Sequence, residues 1–133
     1  MFMNYKDRKA TEKKVAKELE AKFGPLQKEV SLRLAGGKPH RFDLVSTDRR
    51  TLVEIKTSGP DKCGKLRPAL RGDICRDCLV LLGRRGAKNR ILVLTNRTVR
   101  QEFLKTQYAG VAKAKGIKII PFPLSRNSKL FRS

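Results

Sequence analysis

The sequence predicts an α/β domain in which a mixed sheet is flanked by helices. Three observations predict it. One segment of helical period opens the chain. Three short strand-like segments separated by tight turns follow, and a meander of that kind pairs antiparallel. After them, helical and apolar segments alternate, which is the pattern of parallel strands joined by helical crossovers. The 133 residues fit a single domain, 1–133, large enough to bury a core.

Each element has its own signal. In residues 7–23, Val15, Ala16, Leu19 and Phe23 share one helical face, and Gly24-Pro25 stops the helix. At 100° per residue Glu12 falls on the centre line of that apolar face, where packing should forbid an acid. Residues 26–34 end in strict alternation and predict a strand. Gly36-Gly37-Lys38-Pro39 is a turn. Residues 40–46 and 51–57 are two further strands joined by the Thr47–Arg50 turn. Residues 67–83 predict a helix with Pro68 in its first turn and Leu70, Ile74, Cys78 and Leu81 on one face. Gly72 opposes that reading, and Cys78–Leu82 also fits a strand. A basic loop, 83–89, precedes the apolar run Ile91–Leu94, which reads as a strand buried on both faces. Thr98-Val99-Arg100-Gln101 has the form of a capping box, opening a helix to about Lys115 that Gly116 ends. Ile117–Ile120 is the last strand, and 125–133 is a basic tail expected to be disordered until a partner orders it. No repeat or low-complexity segment is present.

Charge narrows the function. Lys and Arg number 32 against 12 acids, a formal +20. That much like charge opposes compaction, and a polyanionic partner accounts for it. Hydrophobic residues at 39% point to a globular chain rather than a disordered one. No apolar run is long enough for a transmembrane helix, and Met1–Lys6 lacks the apolar stretch of a secretory signal, so an intracellular, cytoplasmic protein is expected. With two Tyr, six Phe and no Trp, stacking platforms for single strands are scarce. Recognition through backbone phosphates and shape suits this composition better. No aromatic-rich helix face suggests a membrane surface.

The candidate chemistry lies in the second and third strands. In Phe42-Asp43-Leu44-Val45 and Thr51-Leu52-Val53-Glu54-Ile55-Lys56, charges interrupt apolar runs. A turn symmetric about Asp48-Arg49 sets Asp43 opposite Glu54, with Cβ atoms about 4.5–5.5 Å apart. Two unpartnered carboxylates so close repel each other. A divalent cation relieves that repulsion, and carboxylate oxygens suit Mg²⁺ or Mn²⁺. Lys56 points the same way as Glu54 and can orient or deprotonate a water or stabilise a phosphate. A helix packed across the sheet would bring Glu12 as a third carboxylate.

Asp43, ten intervening residues, then Glu54-Ile55-Lys56 resembles the PD-(D/E)XK nuclease superfamily, the restriction-endonuclease-like fold. The order helix, three strands, helix, strand over residues 7–95 is similar to that family's αβββαβ core, with a C-terminal helix and strand added. Within it the chain looks most like the small basic archaeal Holliday-junction resolvases of DNA recombination and repair. Those carry a catalytic Glu on the first helix followed three and four residues later by apolar residues, as Glu12, Val15 and Ala16 do here. The resemblance implies Asp43 and Glu54 as metal ligands, Lys56 as catalytic lysine and Glu12 as the helix-borne acid. The Pro that often precedes the Asp is replaced by Phe42. Glu-x-Lys alone carries little weight in so Lys-rich a chain, since Glu12-Lys13-Lys14 and Glu20-Ala21-Lys22 also match.

The expectation is therefore a Mg²⁺- or Mn²⁺-dependent DNA endonuclease acting through a metal-activated water. Its substrate would be double-stranded or branched DNA, and cutting two strands symmetrically suggests a homodimer. The alternatives are a non-catalytic basic nucleic-acid-binding protein and an RNA-directed nuclease. Lys65, Arg67, Arg71, Arg84, Arg85 and Lys88 are candidates for a phosphate-tracking surface beside the site; solvated surface charge is the plain alternative. His40 reads as an ordinary strand-edge residue. Cys63, Cys75 and Cys78 do not complete a four-ligand zinc pattern and read as inert buried thiols.

Overall fold

The computed structural model describes residues 4–124, so the basic tail 125–133 and residues 1–3 lie outside the described residues. Helix α1 spans Tyr5–Phe23. It starts two residues earlier than the periodicity suggests, because the Asn4 side chain accepts a hydrogen bond from the Asp7 amide (2.8 Å) and caps it. Only Val15, Ala16 and Leu19 of its otherwise charged surface are buried.

The strands are β1 (Leu26–Arg33), β2 (Pro39–Ser46), β3 (Thr51–Lys56), β4 (Asn89–Leu94) and β5 (Ile117–Ile120). They lie in one sheet in chain order: β1, β2 and β3 pair antiparallel, and β3, β4 and β5 pair parallel. Helix α2 (Pro68–Gly83) forms the β3–β4 crossover, which excludes the strand alternative for Cys78–Leu82. Leu52, Leu92 and Leu94 pack on one face against Leu70, Ile74 and Leu81 of α2. Val53, Ile91 and Val93 pack on the other against Val15 and Leu19 of α1. Successive residues of β3 and β4 thus alternate between two apolar layers, as continuous apolar strands must.

The long helix expected over 98–115 is two helices, α3 (Arg97–Leu104) and α4 (Gln107–Ala114). Thr98 is not the cap. The Asn96 side chain accepts from the Val99 amide (3.0 Å) and caps α3 two residues ahead of Thr98. The break has its own device: the Thr106 hydroxyl donates to the Phe103 carbonyl (2.7 Å) and accepts from the Ala109 amide (3.4 Å), ending one helix and capping the next. Leu104, Tyr108 and Val111 keep helical spacing across the break, which is why periodicity alone reads through it. The buried Phe103 and Ala112 would stand about 180° apart on one straight helix and reach the same core only because the helix is broken.

The β1–β2 hairpin is bent, and the bend builds the site. Leu26 and Leu44 pack in the α1 layer, whereas Val30, Leu32 and Phe42 pack in the α2 layer. Regular alternation would keep Phe42 and Leu44 on one face, and Leu26 and Val30 likewise. Both strands change phase together between the Lys28–Leu44 and Val30–Phe42 pairs, where Glu29 and Asp43 stand unpaired and Glu29 adopts φ +53°. Beyond the bend β2 leaves β3, whose ladder with it consists of Leu44–Val53 and Val45–Leu52. The hairpin tip turns onto the end of α2: the Ala35 amide donates to the Gly83 carbonyl (2.8 Å), and Arg84 Nη1 to the Arg33 carbonyl (2.9 Å). A Cβ at Gly83 would already lie 3.6 Å from the Leu34 side chain.

Candidate functional site

The β2–β3 register runs as the turn symmetry predicts, and continued by one step it sets Asp43 opposite Glu54. The ladder is interrupted there because a side chain takes over from the main chain. The Ile55 amide donates to Asp43 Oδ2 (2.7 Å), which holds the carboxylate against the edge of β3. Burial raises the Asp43 pKa, opposed by that hydrogen bond and by the Lys56 charge.

Glu54 is only 6% exposed and faces α2. Burial, then the charges of Asp43 and Asp77, push its pKa up to about 9. Its Oε1 lies 3.1 Å from His40 Nε2. His40 is therefore more than a strand-edge residue. The bend brings it back over β3, and its ring meets Phe42 edge-on with centroids 4.7 Å apart.

Lys56 Nζ forms an ion pair with Asp77 Oδ2 at 3.2 Å. Asp77, from the middle of α2, is not among the residues the sequence reading singles out. A signal for it exists. Asp77 stands three residues after Ile74 and four before Leu81, on the buried stripe of α2, the same anomaly that marks Glu12 on α1. Burial raises its pKa and Lys56 opposes the rise.

Glu12 approaches from the other side. It lines a cleft of about 240 Å³ with Tyr5, Lys9, Lys28, Glu29 and Asp43. Its pKa is raised by burial and then by Asp43. Lys9 Nζ lies 3.8 Å from the Glu12 carboxylate and 2.7 Å from that of Glu29. Asp43 thus links two groups, Glu12 on the α1 side and Glu54, Lys56 and Asp77 on the α2 side.

The donor set bears on the kind of metal the site could hold. Among the described residues no three His, Cys, Asp or Glu side chains form a ready group for an ion. Asp43 and Glu54 are instead two close, desolvated carboxylates whose ionised forms disfavour each other. Mg²⁺ and Mn²⁺ are held by one or two carboxylates together with waters and substrate phosphates, and this pair fits them.

The six basic candidates separate into two groups at opposite ends of α2, a helix of 16 residues and thus about 24 Å long. Lys65, Arg67 and Arg71 lie at its N-terminal end, where Arg67 Nη2 donates to the Gly59 carbonyl (3.4 Å) and Arg71 lies over the Tyr108 ring (5.9 Å). Arg84, Arg85 and Lys88 lie in the α2–β4 loop, where the Lys88 amide donates to the Arg50 carbonyl (2.7 Å). Of the cysteines, Cys78 is buried as expected, with its thiol pushed up to about 12 by burial; Cys75 is half-buried, and Cys63 is exposed rather than buried. Among the described residues no helix is long and apolar enough to cross a membrane.

No family model matches the chain, and no curated protein or solved structure matches it.

Proposed function

We propose that this chain is a metal-dependent DNA endonuclease of the PD-(D/E)XK type, with a restriction-endonuclease-like core, acting as a homodimer on double-stranded or branched DNA. One observation carries the reading. Glu54, buried, and Asp43, half-buried, stand on neighbouring strands beside Lys56 at the point where β2 bends away, in a chain with a formal charge of +20. A structural role does not require two desolvated carboxylates whose charges oppose each other.

The side chains divide the work. Asp43 and Glu54 supply the oxygens for Mg²⁺ or Mn²⁺, and His40 fixes the orientation of Glu54. Bound there, such an ion would neutralise the pair, polarise the phosphodiester and lower the pKa of a water. Lys56, held in place by Asp77, presents a cation to the phosphate oxygens where charge grows during displacement. Glu12 faces the cleft that opens on Asp43 and is placed to orient water there.

The test uses a labelled four-way junction, its matched linear duplex and an RNA duplex of the same sequence, each with Mg²⁺ or EDTA. Mg²⁺-dependent cutting of DNA that Lys56→Ala and Glu54→Gln abolish while binding persists supports the proposal. Paired nicks confined to the junction would add resolvase-like selectivity. Cutting of RNA alone makes the enzyme an RNA-directed nuclease. Salt-sensitive binding without cutting of any substrate makes the protein a binding scaffold.

A further inference from the structure

We propose that the cleft between the β1–β2 hairpin tip and the α2–β4 loop is a phosphodiester-binding subsite, a second anchor for the DNA backbone. The inference rests on DNA as the proposed ligand but not on the catalytic step.

The cleft holds about 300 Å³ and is lined by Arg33, Leu34, Ala35, Arg84 and Arg85. Three of those five residues are arginines and none is acidic. The guanidinium groups of two are held from behind: Arg33 Nη1 donates to the Gly37 carbonyl (2.9 Å), and Arg84 Nη1 to the Arg33 carbonyl (2.9 Å). Arg90 steadies the loop, donating to the Leu81 carbonyl (2.8 Å) and the Arg84 carbonyl (3.0 Å). Arg33 and Arg84 each spend one donor on the main chain and keep others in a fixed fork, which is the arrangement that grips phosphate oxygens. Arg84 Nε is buried and has no hydrogen-bond partner among the described residues. A buried donor left unmade is costly, and Arg84 is one of the residues that line the cleft.

Position adds to the argument. Arg84 follows Asp77 by seven residues along α2, an axial offset of about 10 Å, or about three base pairs of duplex. The bend that places His40 over Glu54 also carries Arg33 onto Arg84, so one distortion of the hairpin builds the candidate catalytic group and this cleft together. The opposite basic group differs in its surroundings: Arg71 lies against Tyr108, Asp61 accepts from the Lys65 amide, and Asp73 pairs with Arg76.

The experiment measures anisotropy of a short labelled DNA duplex in EDTA over a salt series, for wild type, Arg33→Ala, Arg85→Ala, Arg85→Lys and the surface control Arg76→Ala. Arg33 and Arg85 are chosen because Arg84 also supports the hairpin tip, and thermal melts confirm that each variant is folded. Arg33→Ala and Arg85→Ala are expected to weaken binding about tenfold and to lower the log–log salt slope by about one each. Arg85→Lys should keep the slope and lose part of the affinity. A neutral methylphosphonate moved along the duplex should weaken wild-type binding at a discrete position, and Arg85→Ala should erase that sensitivity. Losses no larger than that of Arg76→Ala overturn the subsite. So does stabilisation by inorganic phosphate that Arg85→Ala removes while its DNA affinity stays at wild type, since the cleft would then serve small anions. Wild-type cutting in Mg²⁺ is scored separately: a chain that binds through this cleft and never cuts keeps the subsite and loses the nuclease.

Discussion

The Ile55 amide donates to Asp43 Oδ2 at 2.7 Å across the point where β2 leaves β3. The carboxylate is both a structural acceptor and a candidate metal ligand, and two substitutions separate the roles. Asp43→Asn keeps an acceptor oxygen and removes the charge that opposes Glu54 and Glu12. Asp43→Ala leaves the Ile55 amide without its partner, at a cost of about 1–3 kcal/mol. Denaturant melts should therefore rank Asp43→Asn at or above wild type and Asp43→Ala below both, with cleavage lost in both variants. Equal stability of the two variants would mean that the hydrogen bond contributes nothing.

Glu54 gives the fold a pH dependence. Its folded-state pKa is raised to about 9 from an ordinary 4.5, so the folded chain binds more protons than the unfolded one between those values. The stability this group contributes is fully present below about pH 4.5 and is lost as pH rises through about 9. One proton's worth of linkage is up to about 1.4 kcal/mol per pH unit. In metal-free buffer the thermal midpoint should fall from pH 5 toward pH 9, and Glu54→Gln should flatten the curve. Mg²⁺ should raise the midpoint most at the alkaline end, where the ionised pair has the most to gain. A midpoint independent of pH in the wild type would show that Glu54 is not strained by its neighbours.

Asp77 is expected to act through Lys56. Asp77→Asn preserves volume and removes the anion 3.2 Å from the ammonium. Loss of such a supporting partner typically costs 10–100-fold in activity. Cleavage kinetics should show the loss in kcat with KM within about twofold, because Lys56 remains present but is aimed less well. A rise in KM alone would assign Asp77 to binding rather than to positioning.

The parts of this site legible in the sequence were those set by local period. Strand alternation and turn symmetry gave the Asp43–Glu54 juxtaposition, and the helical stripe gave Glu12. The bend at Glu29 and Asp43 was not legible, because nothing in Lys28-Glu29-Val30 announces a left-handed φ at a non-glycine residue. His40 meets Glu54 and Arg33 meets Arg84 only through that bend, so both contacts stayed hidden with it. Asp77 was within reach of the stripe argument applied to Glu12, but its partner Lys56 lies 21 positions earlier in the sequence, on another element. Thr106 shows the converse limit: one hydroxyl splits a helix across which the helical spacing of Leu104, Tyr108 and Val111 continues.

Glu12 offers a test between two physical roles. An acid favoured by the helix dipole stabilises, and replacing it lowers the thermal midpoint. That effect fades within the first turn, and Glu12 lies two turns beyond the Asn4 cap. Its raised pKa instead reflects burial and the Asp43 charge, so the ionised form is a burden on the fold at neutral pH. Glu12→Gln should therefore raise the midpoint at pH 8 and leave it nearly unchanged at pH 4, where the carboxyl is largely protonated. The same variant should lower the cleavage rate at least tenfold if Glu12 orients water beside Asp43. A stabilised, poorly active Glu12→Gln would mark the acid as kept for chemistry at the expense of the fold. A destabilised, fully active variant would return it to the role of a helix-end charge.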